Sequence, residues 1–188
     1  MPKKVLCTIP PRIFLVEKPP GIHSGDVLKH FKYHLPTGFG KIGHLGTLDP
    51  FAEGLLLIAV GQAARLNFLF TEGMTKTYEA RGVFHYKSTT GDCNGELIEA
   101  RKESVPALSE IQKSMNSMVG QYFQAPPYYS ASKHEGRPLY DYARKGIFID
   151  KPKVERTIHE FKAAALIGED EISFVSKVSS GTYIRTLF

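Results

Sequence analysis

The sequence predicts an α+β fold with a mixed, mostly antiparallel central sheet flanked by helices and loops, and three observations predict it. Some segments alternate apolar and polar residues, the two-residue period of a half-buried strand. Others space apolar residues three and four apart, the period of an amphipathic helix. The two kinds are interspersed without a regular strand–helix–strand rhythm, which argues against a parallel doubly wound sheet. With 188 residues and no linker or internal repeat, one domain over 1–188 is expected.

The elements follow in order. Ile13 to Val16 reads as a short strand leading into the turn Lys18-Pro19-Pro20-Gly21. Ser24 is placed to cap a helix with Asp26 in its first turn and Val27, Leu28, Phe31 and Leu35 as its apolar stripe. Gly38 to Gly46 is glycine-rich and expected to be irregular. Gly54 to Gly61 reads as a buried strand, and Gln62 to Phe70 as a helix packing back on it. In Lys76 to Phe84 the residues Tyr78, Ala80, Gly82 and Phe84 face one way and Thr77, Glu79 and Arg81 the other, so this is a half-buried strand. Ser109 to Met118 has helical spacing through Ile111, Met115 and Met118. Pro138 suits the first turn of a helix that runs to Lys145 and stops at Gly146. Ile172, Phe174, Ser176 and Val178 alternate, giving a strand that ends at Ser179-Ser180-Gly181. Thr182 to Leu187 is strand-like, and the chain stops directly after it.

Composition excludes several classes. Lys and Arg number 24 against 19 Asp and Glu, a net charge of +5; this is compatible with a nucleic-acid partner without requiring one. Two cysteines, Cys7 and Cys93, stand far apart; they make neither a disulfide framework nor a metal site, and fit a reducing cytoplasm. The longest apolar run, Leu55 to Val60, is far below the roughly 20 residues that span a bilayer. Nothing in the sequence calls for an obligate partner, so a monomer is expected.

The segment richest in chemistry is Gly43-His44-Leu45-Gly46-Thr47-Leu48-Asp49-Pro50. Its glycines permit conformations and close approaches that other residues resist. Asp49 precedes a proline and is biased toward extended backbone. A carboxylate so held beside a hydrophobic strand has the makings of a nucleophile. From the loop alone, the ordinary role of an Asp-Pro, capping a turn, is the better reading. Two other constellations compete weakly. Glu53 puts a second carboxylate four residues after Asp49, as in a glycosidase pair; His30 and His34 have a spacing that suits zinc, without a third ligand.

The wider pattern resembles the TruB family of pseudouridine synthases in separated places and in that family's order. Lys18-Pro19-Pro20-Gly21-Ile22 with Ser24 and Asp26-Val27 resembles its first motif. Gly43-His44-x-Gly46-Thr47-Leu48-Asp49-Pro50-x-Ala52-x-Gly54 resembles the motif of the catalytic aspartate, and Lys76-x-Tyr78 a strand motif whose tyrosine packs on the target base. Ser88-x-Thr90-x-Asp92-x-x-Gly95 follows, then Gln124-x-Pro126-Pro127-x-Tyr129-Ser130-Ala131-x-Lys133. Last, Ser180-Gly181-Thr182-Tyr183-Ile184-Arg185-Thr186-Leu187 resembles the motif of the catalytic arginine. The resemblance runs from about Phe14 to Phe188. Leu45, Phe51 and Glu53 depart from the small residue, Leu and Thr frequent in the family; they flank the key positions without replacing them.

The resemblance implies the pseudouridine synthase fold and isomerisation of uridine in the T-loop of tRNA, at position 55. Asp49 would be the nucleophile, Arg185 the arginine that pairs with it, and Tyr78 the ring against the extruded base. A stacked uridine cannot present its reacting atoms to a carboxylate, so the base must be flipped out. No metal and no organic cofactor is implied, because the leaving uracil is itself the reactant. His44 would stack among the loop bases, Tyr183 and Leu187 would pack around the target, and Lys18 and Lys133 would support loop structure or meet RNA phosphates. Backbone contacts would come from Lys29, Lys32, Lys41, Arg137, Arg144 and Lys145, for each of which a solvated charged face is the ordinary alternative. The resemblance also implies a catalytic domain incomplete at the C-terminus and without the small C-terminal RNA-binding PUA domain. A tRNA-binding or RNA-folding protein without catalysis is the competing function.

Overall fold

In the computed structural model, which describes residues 10–36, 38–71, 73–100 and 104–188, every strand pairing is antiparallel. Cys7 lies outside the described residues. The chain divides between Met74 and Thr75 into two compact units.

The first unit is built on a three-stranded sheet. β1 (Arg12–Lys18) and β2 (Ile42–His44) flank β3 (Gly54–Val60), with Lys18 opposite Gly54 and His44 opposite Ile58. Alternate residues of β3 serve two cores, as the strand's two-residue period dictates. Leu56, Ile58 and Val60 meet Val27 of helix α1 (Ser24–His34), with Phe14, Phe31 and Leu35 around them. Ala59 packs instead with Leu45 and Ala63. A strand covered on both faces reads as the continuous apolar run seen here.

Three expectations change in this unit. Ser24 does not cap α1: His23 holds the N-cap position without a side-chain bond, and Ser24 is buried. Its hydroxyl is drawn elsewhere, as described below. The glycine-rich stretch is not wholly irregular, because Ile42–His44 pairs with the open edge of β3. Residues 62–70 are not one α-helix. A 3-10 helix, Gly61–Leu66, precedes the short α2 (Asn67–Thr71). Val60 at the N-cap offers no side-chain acceptor, and Gly61 has a φ of 67°; neither starts a regular α-helix.

The second unit carries a four-stranded sheet. β4 (Thr75–Val83) forms one edge, and two ribbons follow: β5 (Tyr86–Ser88) with β6 (Leu97–Glu99), and β8 (Lys133–His134) with β9 (Arg137–Pro138). β7 (Gly120–Gln124), β10 (Val154–Ile167) and β11 (Glu171–Ser179) complete the sheet in the order β4-β11-β10-β7. The alternation in β11 holds at every position: Ile172, Phe174, Ser176 and Val178 are buried and their neighbours are not. With Ile158 and Phe161 of β10, these apolar residues form the core that α3 (Leu108–Ser117) covers through Ile111 and Met115. The Glu110 carboxylate accepts from the Ala107 N–H and closes the start of α3.

α4 (Leu139–Ala143) begins one residue after Pro138, which stands at its N-cap, and ends before Gly146, whose φ is 75°. The strand expected over 182–187 is instead a turn and a 3-10 helix, Ile184–Thr186. The cause is local. The Gln124 side chain takes both the N–H and the C=O of Tyr183, at 2.9 and 3.0 Å, leaving no backbone edge there for a neighbouring strand.

Candidate active site

In the first unit, the loop carrying Asp49 is fixed from below. Lys18 ends β1 with no exposed surface. A buried ammonium must satisfy its donors internally, and Nζ donates to the carbonyls of Pro19, Ile22 and Pro50 at 2.8, 2.9 and 3.1 Å. Gly21, at a φ of 86° that glycine tolerates, donates its N–H to the same Pro50 carbonyl at 2.8 Å. On the other side of Asp49, the Ser24 hydroxyl donates to the Leu48 carbonyl at 2.9 Å and accepts the Leu48 N–H at 3.1 Å. The residues immediately before and after Asp49 are therefore both pinned, and Ala52 donates to the Asp49 carbonyl at 3.2 Å. Asp49 itself is half-buried.

Burial lowers the Lys18 pKa from its ordinary value, and the nearby Asp49 charge partly restores it. Of the two roles open to Lys18 from sequence, the structure shows loop support; an ammonium with no exposed surface is not placed to meet a phosphate. His44 closes β2 and is half-buried. It lines, with Lys32, Lys41, Gly43 and Asn67, an open cavity of about 490 Å³.

In the second unit, Arg185 is held by its own head group. Its side chain is 7% exposed; Nη1 donates to the Thr90 carbonyl at 2.7 Å, Nη2 donates to the Tyr129 carbonyl at 2.8 Å, and the Asp92 carboxylate lies 3.4 Å from Nη1. Asp92 is 9% exposed. A planar guanidinium suits several acceptors arranged in its own plane. Tyr78 lies on β4 opposite Ser176, half-buried against the core of this unit. Lys76, two residues before it, has its pKa lowered by burial. Tyr183 is half-buried and clamped by Gln124; Leu187 is 6% exposed and belongs to the core cluster. Lys133 is exposed on β8.

Asp92, Thr90 and Gln124 stand within the motifs without an assigned role, and Ser24 was expected as a cap. Their signal was a polar residue that no local element needs. Lys29, Lys32, Lys41, Arg137, Arg144 and Lys145 are all exposed. Lys29 pairs with Asp26 at 2.7 Å, and the Arg144 guanidinium lies 5.2 Å over the Tyr140 ring. His34 bonds through Nδ1 to the His30 carbonyl at 2.9 Å. Among the described residues no cluster of three or more His, Cys, Asp or Glu side chains could hold a metal ion, and no helix is long and apolar enough to cross a membrane.

Known proteins resemble this arrangement over most of the chain. It is 41% identical over 175 residues to tRNA pseudouridine synthase B of Onion yellows phytoplasma (strain OY-M), a match covering 93% of this chain and 60% of that protein. Identity is 40% over 184 residues to tRNA pseudouridine synthase B of Geobacillus kaustophilus (strain HTA426), covering 93% and 62%. Among solved structures, a chain in the crystal structure of a Cbf5-Nop10-Gar1 complex superposes with a TM-score of 0.64 and 27% identity, covering 93% of this chain and 41% of that one. The chain thus spans about 60% of the length of these curated relatives. The family model described as TruB family pseudouridylate synthase (N terminal domain) matches residues 33–184, taking in Asp49 and Tyr78 and stopping beside Arg185. On a match of that extent, the chain belongs to the TruB family of pseudouridylate synthases.

Proposed function

We propose that the protein isomerises uridine to pseudouridine in the T-loop of tRNA, at position 55, with Asp49 as nucleophile. The observation that carries this reading is the loop itself: a half-buried carboxylate whose two neighbouring residues are pinned by Ser24, Lys18 and Gly21. Catalysis by a fixed group depends on such pre-organisation. Family membership and the two relatives named tRNA pseudouridine synthase B support the same reaction and substrate class.

The target uridine is extruded from its stack and meets an aromatic face, for which Tyr78 is the candidate; stacking of a base on an aromatic ring is worth roughly 1–3 kcal/mol. The Asp49 carboxylate adds to C1′ of the ribose or to the uracil ring, and the bond from N1 to C1′ breaks. The uracil turns and rejoins C1′ through C5, and the bond to Asp49 breaks, which returns the free carboxylate. C5 gives up its proton and N1 acquires one, so the product is an isomer and nothing is consumed. Arg185 serves as the cation of this site, with His44, Tyr183 and the exposed lysines and arginines as RNA contacts. The tRNA T stem-loop is recognised by shape and stacking, as single-stranded RNA loops generally are. The exposed free thiol of Cys93 suits a reducing cytoplasm, and the protein acts as a monomer.

The experiment is incubation of the chain with an unmodified tRNA transcript, followed by nucleoside analysis and mapping of position 55. Pseudouridine at that position, lost in Asp49→Ala, is the expected result. Tight tRNA binding without any pseudouridine would make this an RNA-binding protein instead, and release of free uracil would make it a glycosidase.

A further inference from the structure

The Arg185 head group has a support that belongs to none of the roles described so far. The loop between β5 and β6 folds on itself around Asp92. The Thr90 hydroxyl donates to Asp92 Oδ1 at 2.7 Å, and the Asn94 N–H donates to the same oxygen at 3.0 Å. The Ser88 hydroxyl donates to the Asp92 carbonyl at 2.6 Å. Thr90 also presents its own carbonyl to Arg185 Nη1 at 2.7 Å. One residue therefore holds both members of the ion pair, the acid through its hydroxyl and the guanidinium through its carbonyl.

We infer that Thr90 is a positioning residue that fixes the direction in which Arg185 presents its guanidinium, acting in part through Asp92. The inference rests on the reading of Arg185 as the cation of the uridine-isomerising site. At 3.4 Å the contact between Asp92 and Arg185 is too long to orient the carboxylate by itself. The shorter bond from Thr90, beside that from the Asn94 N–H, sets that orientation, and a β-branched side chain has few rotamers through which to lose it. Gly95 adds a steric constraint. A Cβ there would lie 2.3 Å from the Ser88 hydroxyl, 2.5 Å from the Thr90 hydroxyl and 2.7 Å from the Thr90 backbone nitrogen. Backbone cannot give way as a flexible side chain can, so residue 95 must lack a side chain for Thr90 to stand where it does.

The test compares Thr90→Val, which keeps the branched shape and removes the hydroxyl, with Thr90→Ser, which restores it. Turnover and KM on tRNA are measured for both, alongside the ¹⁵N–¹H resonance of Arg185 Nε, assigned by its loss in Arg185→Lys. Thr90→Val is expected to lower kcat about tenfold with KM within twofold, and to shift or broaden the Arg185 resonance. Thr90→Ser is expected to recover kcat to within threefold and return the resonance. Gly95→Ala is expected to behave like Thr90→Val. An unchanged resonance and kcat in Thr90→Val, or a loss that Thr90→Ser does not restore, overturns the inference. If the unmutated chain makes no pseudouridine, the isomerase reading fails, and the Arg185 resonance alone decides the role of Thr90.

Discussion

The two units hold their candidate catalytic groups in different ways. In the first, the bonds go to backbone on either side of Asp49, through Lys18, Gly21 and Ser24. In the second, they go to the side-chain head group of Arg185, through Thr90, Tyr129 and Asp92. The difference follows from side-chain length. An aspartate carboxylate lies only two torsions from its backbone, so fixing the backbone limits where it can reach. An arginine carries about 2 kcal/mol of rotamer entropy and must be gripped at its far end.

If that contrast is right, loss of a side chain that braces the Asp49 loop should appear chiefly as lost stability, and loss of the Arg185 head group as lost turnover. Lys18→Met should have the largest effect. Pro50 keeps its bond from Gly21, but the Pro19 and Ile22 carbonyls lose their Lys18 donor. Each bond from the ammonium to these part-buried carbonyls is charge-assisted and worth about 1.5–3 kcal/mol, so losing the two costs about 4 kcal/mol. Urea titration followed by circular dichroism measures it; a loss under 1 kcal/mol would mean that Lys18 is not the loop's anchor. Arg185→Lys comes next. A single ammonium cannot reproduce the fork that meets two carbonyls and a carboxylate, so turnover should fall about 100-fold, about 2.7 kcal/mol of barrier. Its urea midpoint should move far less than that of Lys18→Met, and a collapse of both would erase the distinction drawn here.

Ser24→Ala is smaller. It strips the Leu48 N–H and C=O of their shared partner and should cost about 1.5 kcal/mol of stability. Turnover should drop only in proportion to any Asp49 displacement, and Ser24→Thr, where it fits, should recover both. A variant with wild-type stability would show that water replaces the hydroxyl and that the loop is held by Lys18 and Gly21.

What the sequence made legible divides along similar lines. Period-two and period-3.6 patterns located α1, β4, α3 and β11, and continuous apolar runs located β1 and β3, because each of these elements buries one face, or both, against neighbours in its own unit. Reading failed where a side chain from elsewhere in the chain decided the outcome. Thr182 to Leu187 has the composition of a strand, yet Gln124, some 60 residues earlier, takes the backbone groups of Tyr183 and the segment turns instead. Ser24 has the chemistry of a cap, yet Leu48 claims its hydroxyl. At the site, Asp49, Tyr78 and Arg185 were nameable from motifs, whereas the roles of Thr90, Asp92 and Gly95 become visible only when the loop closes on itself. Leu187, an apolar residue one turn after Tyr183, packs in the core cluster of the second unit.

The smallest effect tests the rule beneath the comparison, that buried polar groups here are held by partners. Tyr122 lies on β7 opposite Arg156, and its hydroxyl oxygen is buried without a partner among the described residues. Burial pushes its pKa up, with Arg156 opposing part of the rise. The unfolded chain loses this proton near pH 10, whereas the folded chain keeps it to a higher pH. Above pH 10 the unfolded state therefore binds fewer protons, and stability falls as pH rises through the folded value. Tyr122→Phe should abolish that loss and, by removing an unpaired hydroxyl, raise stability at pH 8 by up to about 1 kcal/mol. The check is the difference in urea midpoint between Tyr122→Phe and the unmutated chain at pH 8 and again at pH 10.5. The gap should widen at the higher pH. A gap that closes, or a variant less stable at pH 8, would show that the Tyr122 hydroxyl has a partner and that the second unit grips this group as it grips Arg185.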